Sequence, residues 1–265
     1  IHLSVQGGAT PWENTVFLTV GSVLANVFGT TGASMLFIRP WIRMNKFRIT
    51  GYHTVFFIFT VSNVGGALTP IGDPPLFLGY LKGIPFWWIA QHAWAMWLVA
   101  IGLLLAIFFV VDSLNFRKVP AELRAKAREA DQWTFRGGRN LAFLGVILGS
   151  VFIQSPPFAR EALMIGAAVG SQFTTPRDIH SSNQFSYHPV QEVAILFAGI
   201  FATMMPALDW LELNAARLGT PTPALFYWAS GSLSSVLDNA PTYLSFLSAA
   251  QGAMATPEAL EHGAR

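Results

Sequence analysis

Apolar residues in this chain gather in long stretches, several of which are as long as a membrane is thick. A helix that crosses a bilayer needs about 20 apolar residues. Residues 84–111 and 190–208 form apolar stretches without a break, and residues 140–154 and 161–173 predict two shorter apolar helices separated by a Ser-Pro-Pro sequence. The pattern predicts an all-α, polytopic membrane protein.

Three further apolar stretches are interrupted by small or polar residues. Residues 12–38 are broken by the sequence GTTG at 29–32, and residues 223–250 are broken by DNAPT at 238–242. Prolines and glycines interrupt the third stretch, residues 51–80. We predict that the two outer stretches are re-entrant helical hairpins and that residues 51–80 form a transmembrane helix broken near its middle.

The break in the middle stretch lies in the sequence SNVGGALTPIGDPPLFLGY, residues 62–80. Proline lacks a backbone donor and clashes with the preceding helical turn, while glycine permits unusual dihedral angles. One half-helix should therefore end near Val64 and a second should start near Pro74. Irregular backbone at membrane depth survives only where protein or a cavity surrounds it. The polar knot predicted at this point comprises Asn63, Gly65, Gly66, Thr69 and Asp73.

The composition agrees with a membrane environment. The chain has 265 residues, of which 52% are hydrophobic and 11% are charged, with 22 Phe and 9 Trp and a mean hydropathy of +0.45. An ordinary soluble domain has roughly a quarter charged residues. Cysteine is absent from the sequence, which excludes disulfides and thiolate metal sites.

The charges that are present predict the orientation. Between residues 49 and 111 the only charged residues are Asp73 and Lys82, whereas eleven of the sixteen basic residues lie in the segments 39–48 and 113–139. By the positive-inside rule both basic segments are cytoplasmic, in the inner (plasma) membrane of a bacterium. Residues 121–131 predict either a short amphipathic surface helix or, as we favour, a solvated charged connector.

The two interrupted outer stretches resemble each other. GSVLANVFGTTGAS begins at Gly21 and GSLSSVLDNAPTYL begins at Gly231, an offset of 210 residues. Counted from the basic segments, the first hairpin opens to the cytoplasm and the second opens to the outside, which is typical of transporters with inverted repeats. We predict a first repeat at 1–112, a cytoplasmic linker at 113–139 and a second repeat at 140–265. The offset places a partner for residues 62–80 at about 272–290, so we expect the chain to be the middle of a longer carrier.

Two carboxylates at membrane depth indicate a cation site. A carboxylate within a membrane is expensive and usually marks an ion or proton pathway, and removal from water favours its protonated form. Such a group can exchange a proton for Na⁺, a hard cation that prefers oxygen ligands. Asp73 and Asp238 are the predicted Na⁺ ligands, while His53, His92 and His188 are expected to be interfacial anchors. The predicted ion- or substrate-binding residues are Asn63, Gly65, Gly66, Thr69, Asp73, Ser235, Asp238, Asn239, Thr242, Thr30 and Thr31.

The sequences at residues 62–75 and 237–242 resemble those of the ion transporter superfamily, and most of all the NhaD-type sodium:proton antiporters and the citrate transporter-like family. The resemblance implies a scaffold domain and a transport domain that moves the site across the membrane, as a homodimer in the full-length protein. Carboxylate carriers of this superfamily have Ser-Asn-Thr at both hairpin tips, and neither tip here has it. The ion-site residues implied by the resemblance are Asn63, Gly66, Thr69, Asp73, Asp238, Asn239 and Thr242.

We therefore expect a secondary transporter that exchanges Na⁺ for H⁺, with lipid and a small ion as its partners. The first alternative is a Na⁺- or H⁺-coupled carrier of citrate-like carboxylates or of an oxyanion such as arsenite. A membrane channel or scaffold is an alternative of another class. The sequence shows no nucleophile paired with a base and no metal triad, so we expect no enzyme, no cofactor and no nucleic-acid partner.

Overall fold

The chain folds into helices joined by short connections. The computed structural model describes residues 2–6, 10–122, 132–153, 155–156, 158–182, 187–214 and 222–254. Its elements are β1 (His2–Gln6), α1 (Pro11–Phe28), α2 (Thr30–Met44), α3 (Gly51–Phe57), a π-helix (Ile58–Asn63), a 3₁₀ turn (Val64–Gly66), α4 (Pro74–Leu81), α5 (Trp88–Lys118), β2 (Gln132–Arg136), α6 (Arg139–Ser150), α7 (Ala159–Thr174), α8 (Arg177–Ser182), α9 (His188–Asn214), α10 (Pro223–Ser234) and α11 (Asn239–Met254). The predicted helical fold class is confirmed.

Within the described part of the chain, two helices are long and apolar enough to cross a membrane. They are α5 and the part of α9 at Val190–Asn214. Only 11% of the apolar window of each helix is buried inside the structure, which suits side chains that face lipid rather than a protein core. The helices predicted at 84–111 and 190–208 are confirmed, and both extend further at their carboxyl ends.

The first interrupted stretch forms a helical hairpin, as predicted. Gly29 alone separates α1 from α2, and the open end is closed by the amides of Asn14 and Asn45, whose Nδ2 atoms each donate to the other's Oδ1 at 2.8 and 3.0 Å. Phe17 of α1 stacks on Trp41 of α2 with ring centroids 5.6 Å apart. These contacts pair the start of α1 with the end of α2 and leave Gly29 at the tip.

The second interrupted stretch is broken slightly earlier than predicted. Helix α10 ends at Ser234 and α11 begins at Asn239, so the interruption covers 235–238 rather than 238–242. Thr242 lies in the first turn of α11, where its Oγ1 donates to the Asp238 carbonyl oxygen at 3.1 Å. Proline is favoured in a first helical turn, and this preference explains why Pro241 extends the helix instead of ending it.

Three short elements of the structure were not expected from the sequence. Strands β1 and β2 form an antiparallel ribbon with Leu3 opposite Phe135, and neither strand was predicted. The short apolar helices predicted at 140–154 and 161–173 are confirmed as α6 and α7, whereas α8 was not predicted. Residues 123–131, most of the predicted surface segment 121–131, lie outside the described residues.

The chain divides into two compact units. One comprises residues 1–73 and 87–185, and the other comprises 74–86 and 186–265. The first unit has a buried apolar cluster around Trp41 and Phe108, and the second unit has another around Leu244. The division concerns packing alone, so the predicted repeats at 1–112 and 140–265 stay a prediction.

Candidate functional site

The predicted break in residues 51–80 is present, and it begins before the glycines. Helix α3 passes into a π-helix at Ile58–Asn63 and then into a single 3₁₀ turn at Val64–Gly66. Short π-helical segments occur frequently at functional sites. Regular helix resumes only at Pro74, where α4 starts. The predicted ends of the two half-helices, near Val64 and Pro74, are confirmed.

The tip of the first hairpin lies against this break. Gly29 has φ of +76°, a conformation that L side chains rarely adopt, and a Cβ there would lie 3.1 Å from the Ile71 carbonyl oxygen. The next residue, Thr30, donates its backbone N–H to the Gly72 carbonyl oxygen at 2.9 Å. This backbone hydrogen bond therefore joins the tip of the hairpin to the irregular segment.

Two glycines allow the break to fold back on itself. A Cβ at Gly66 would lie 2.5 Å from both the Gly72 carbonyl oxygen and the Cγ2 of Thr30. Such an approach is far closer than van der Waals contact, so any side chain at Gly66 would push the backbone segments at Gly66 and Gly72 apart. Thr69 closes the loop between them, because its Oγ1 accepts the Gly72 N–H at 2.9 Å.

Asn26 of α1 stabilises the break, a role that the sequence reasoning missed. Its Oδ1 accepts the Leu68 N–H at 3.0 Å, its Nδ2 donates to the Gly65 carbonyl oxygen at 2.7 Å, and its own carbonyl oxygen accepts the Thr69 hydroxyl at 2.6 Å. An amide side chain offers both a donor and an acceptor, which is what an irregular loop needs. Asn26 lies three residues before Gly29, and this closeness to the tip was the available signal.

Trp97 of α5 is a second side chain that the sequence reasoning missed. Its Nε1 donates to the carbonyl oxygens of Val64 at 2.8 Å and Gly65 at 3.2 Å. The Val64 carbonyl keeps a 3₁₀ bond from the Ala67 N–H at 3.2 Å, and Trp97 adds a donor where the regular helix ends, which matters because unpaired carbonyls are costly inside a membrane. Trp97 and Asn26 therefore occupy carbonyl oxygens that we had expected to be available to an ion.

The site residues predicted at the first tip and in the break divide into two groups according to their burial. Thr30, Thr69 and both glycines of the 3₁₀ turn are buried and support the loop, whereas Asn63 and Thr31 are exposed and Asp73 is half-buried. We name the contacting groups of the tip and the break, together with their chain neighbours Thr31, Asn63 and Asp73, the break knot. The break knot comprises Asn26, Gly29, Thr30, Thr31, Asn63, Val64, Gly65, Gly66, Thr69, Gly72, Asp73 and Trp97.

The tip of the second hairpin is built differently. Ser234 Oγ donates to Asn239 Oδ1 at 2.9 Å across the interruption. Ser235, Asp238 and Asn239 are exposed and Thr242 is buried. This tip belongs to the second compact unit, so the ligand pair predicted from Asp73 and Asp238 remains a prediction. No group of three or more His, Asp or Glu side chains placed to hold a metal ion occurs within the described ranges.

The histidines expected at the interface occupy different settings. His92 is exposed and stacks on Trp88 at 4.5 Å, and His188 is exposed beside Glu192 at 3.2 Å. His53 is fully buried, with its Nε2 3.3 Å from Asp112 Oδ1. Its role as an interfacial anchor stays a prediction, and the ring faces a buried carboxylate on α5.

Comparison with known proteins gives one family. The match covers residues 1–263, and the family is described as "Putative citrate transport". No curated protein matches the chain, and no solved structure matches it. The break at residues 64–73, the two interrupted hairpins and the apolar helices α5 and α9 suit a membrane transporter with discontinuous helices. The chain belongs to this citrate transport family, within the ion transporter and citrate transporter-like group, and it is a membrane protein.

Proposed function

We propose that the protein is a secondary transporter that carries citrate-like carboxylates across the membrane, driven by the downhill movement of Na⁺ or H⁺. The observation that carries the proposal is the break knot, where side chains of α1 and α5 donate to carbonyl oxygens of the irregular backbone. Broken helices of this kind form substrate and ion sites in transporters. The family description supports a carboxylate as the cargo.

The start of α4 is better suited to a cation than to the carboxylate. The first four N–H groups of a helix are free to bind an anion, but Pro74 and Pro75 occupy the first two positions of α4 and have no N–H to offer. Asp73 precedes them and adds a negative charge when ionised. We therefore assign the coupling cation to Asp73.

The carboxylate would be recognised by the exposed polar groups of the break knot. Asn63 offers an amide and Thr31 a hydroxyl, and both are exposed while the backbone around them is held by buried partners. Donors that are fixed before binding recognise an oxygen-rich ligand at less entropic cost than mobile ones. The remaining ligands of a tricarboxylate would come from other parts of the protein.

Na⁺/H⁺ exchange without a carboxylate is the second candidate. It is favoured by Asp73, since between residues 49 and 111 the only other charged residue is Lys82. A carboxylate at membrane depth can alternate between a proton and a metal ion. In that case Asn63 and Thr31 would supply oxygen ligands to the ion.

Three contacts support the proposed orientation, with residues 39–48 and 113–139 in the cytoplasm of a bacterial cell. In the first unit, Arg48 beside the open end of the first hairpin pairs with Asp112, next to the basic linker. In the second unit, Lys82 lies 3.5 Å from Glu212 and donates to Ser248 at 2.8 Å. The segments next to the open end of each hairpin are therefore the ones that the charge pattern assigns to the same side of the membrane as that open end.

The test is transport by the full-length protein reconstituted in vesicles. Labelled citrate is offered with an inward Na⁺ gradient, an inward proton gradient or neither, and a pH-sensitive dye reports proton movement when Na⁺ alone is added. Citrate uptake that requires a cation gradient is the expected result. Proton movement with Na⁺ and no citrate uptake would favour the exchanger, and a current that neither saturates nor needs a gradient of a second ion would indicate a channel. Cross-linking of the same vesicles tests the homodimer that we also propose.

A further inference from the structure

A buried cluster at the far end of the first unit lies outside the break knot. Asp112 of α5 accepts hydrogen bonds from both Nη atoms of Arg48, with Nη2 at 2.8 Å from Oδ2. It also accepts from Tyr52 Oη at 2.7 Å and from Asn14 Nδ2 at 3.0 Å. His53 approaches with Nε2 3.3 Å from Oδ1. We call these five residues the Asp112 cluster.

The charged pair of the cluster is almost completely removed from solvent. The Asp112 side chain is 0% exposed and the Arg48 side chain is 8% exposed. The Thr50 N–H approaches His53 Nδ1 at 3.3 Å, and the other ring nitrogen, Nε2, faces Asp112. A buried ion pair gains little stability over an apolar pair of similar size. Stability alone is therefore a weak reason for the presence of these charged groups. Their geometry suggests a role that depends on directional hydrogen bonds, which apolar side chains cannot form.

The cluster joins the elements whose other ends form the break knot. Asn14 and Asn26 lie at opposite ends of α1, about 18 Å apart at 1.5 Å per residue, and Asp112 and Trp97 lie about 22 Å apart along α5. Tyr52 and His53 belong to α3, which runs into the π-helix and the break. The Asp112 cluster and the break knot thus connect α1, the α3 segment and α5 at two separate levels.

The layer between these two levels is largely apolar, and the bond from Trp41 Nε1 to the His53 carbonyl oxygen, at 3.1 Å, joins α2 to α3 and involves neither α1 nor α5. The layer contains Trp41, Phe57 and Phe108, with the Trp41 and Phe108 ring centroids 5.9 Å apart. Apolar contact is non-directional, whereas a hydrogen bond tolerates only a few tenths of an ångström. A slip of one residue, about 1.5 Å along a helix, would take Trp97 or Asn26 out of reach of the break.

We propose that Asp112 and Arg48 are positioning residues for the break knot: their bonds fix the axial register of α1, α3 and α5 so that Asn26 and Trp97 meet the irregular backbone. The proposal concerns the geometry of the knot and rests on the proposed function only in calling that knot the transport site. Arg48 and Asp112 touch neither the cation nor the carboxylate.

The test is amide hydrogen exchange in the full-length protein, comparing wild type with the double variant Arg48→Met/Asp112→Leu. Removing both charges leaves no unpaired ion, so this variant is expected to fold. Peptides covering residues 62–72 should exchange at least about tenfold faster in the variant, because a slipped register frees the Leu68 N–H. The matched control is Lys82→Met/Glu212→Gln, which removes the ion pair of the second unit and should leave residues 62–72 unchanged.

A purely local role would give another pattern. Faster exchange confined to residues 45–57 and 108–118, with residues 62–72 as slow as in the wild type, would overturn the proposal. If the double variant does not fold, Arg48→Lys is measured instead. It keeps the charge but loses the paired donors, and it should speed exchange at 62–72 by about threefold; no change there would also overturn the proposal.

Transport gives an independent readout in the same variants. With the amount of folded protein measured separately, the KM for the coupling cation should rise about tenfold, whereas a loss of stability alone would lower the active amount and leave KM unchanged. An unchanged KM in a folded, transporting double variant contradicts a role in positioning the site. If the wild type transports neither citrate nor cations, the proposed function fails and hydrogen exchange alone decides the positioning role.

Discussion

Replacing Asn26 with leucine tests whether α1 holds the break in shape. The side chain keeps its size but loses the acceptor of the Leu68 N–H, at 3.0 Å, and the donor to the Gly65 carbonyl oxygen, at 2.7 Å. The Gly65 carbonyl keeps Trp97 as a partner at 3.2 Å, so the Leu68 N–H is the group left without a partner.

The magnitude follows from that one group. An unsatisfied amide costs about 1–3 kcal/mol, and because Asn26 is only half-buried we take about 2 kcal/mol. At about 1.4 kcal/mol per tenfold change, the open population of the break should rise about 30-fold. The Asn26 backbone carbonyl and its bond from Thr69 are unaffected by the substitution.

The assay is hydrogen exchange of peptides that contain Leu68, together with the KM for the coupling cation. Both should change in Asn26→Leu. Asn115→Leu is the matched control, because Asn115 is also half-buried but donates only to Val111 of its own helix, at 2.9 Å. Equal exchange at Leu68 in the wild type and in Asn26→Leu would refute the reasoning.

Three further predictions concern single positions. Gly66→Ala should abolish transport, since its Cβ would lie 2.5 Å from the facing backbone, whereas Gly102→Ala on α5, where nothing lies within 4 Å, should be neutral; uptake assays of the two variants check this. Asp73→Asn should eliminate the dependence of uptake on the cation gradient, and uptake that still follows the gradient would remove Asp73 from the mechanism. Glu212→Gln should lower stability by less than about 1 kcal/mol, because its ion pair with Lys82 is partly exposed; thermal unfolding in detergent measures this, and a larger loss would contradict it.

The interruptions in the apolar stretches could be predicted because they depend on local chemistry. Glycine and proline act within one or two residues of their own position, so the hairpin tip at Gly29 and the start of α4 at Pro74 follow from the sequence. The second tip was misplaced because proline both ends helices and begins them. Pro241 lies in the first turn of α11, and the sequence pattern alone does not distinguish these two roles.

The partners of the break could not be predicted because they are distant in the chain. Asn26 and Trp97 reach backbone groups about 40 and 30 residues away, and each looks like an ordinary residue of an apolar helix. Asp112 directly follows the apolar stretch predicted at 84–111, and only the fold brings Arg48, Tyr52 and Asn14 to it. The residues that support the predicted polar groups come from tertiary packing, which carries no local signal.

The most direct test of the account is the uptake of labelled citrate by vesicles that contain the wild-type protein or Asp73→Asn, with and without an inward Na⁺ or proton gradient. We predict uptake by the wild type that saturates and increases with one of the two gradients, and uptake by Asp73→Asn that ignores both. Gradient-driven uptake that is equal in the two proteins, or no citrate uptake by the wild type under any gradient, would contradict the account.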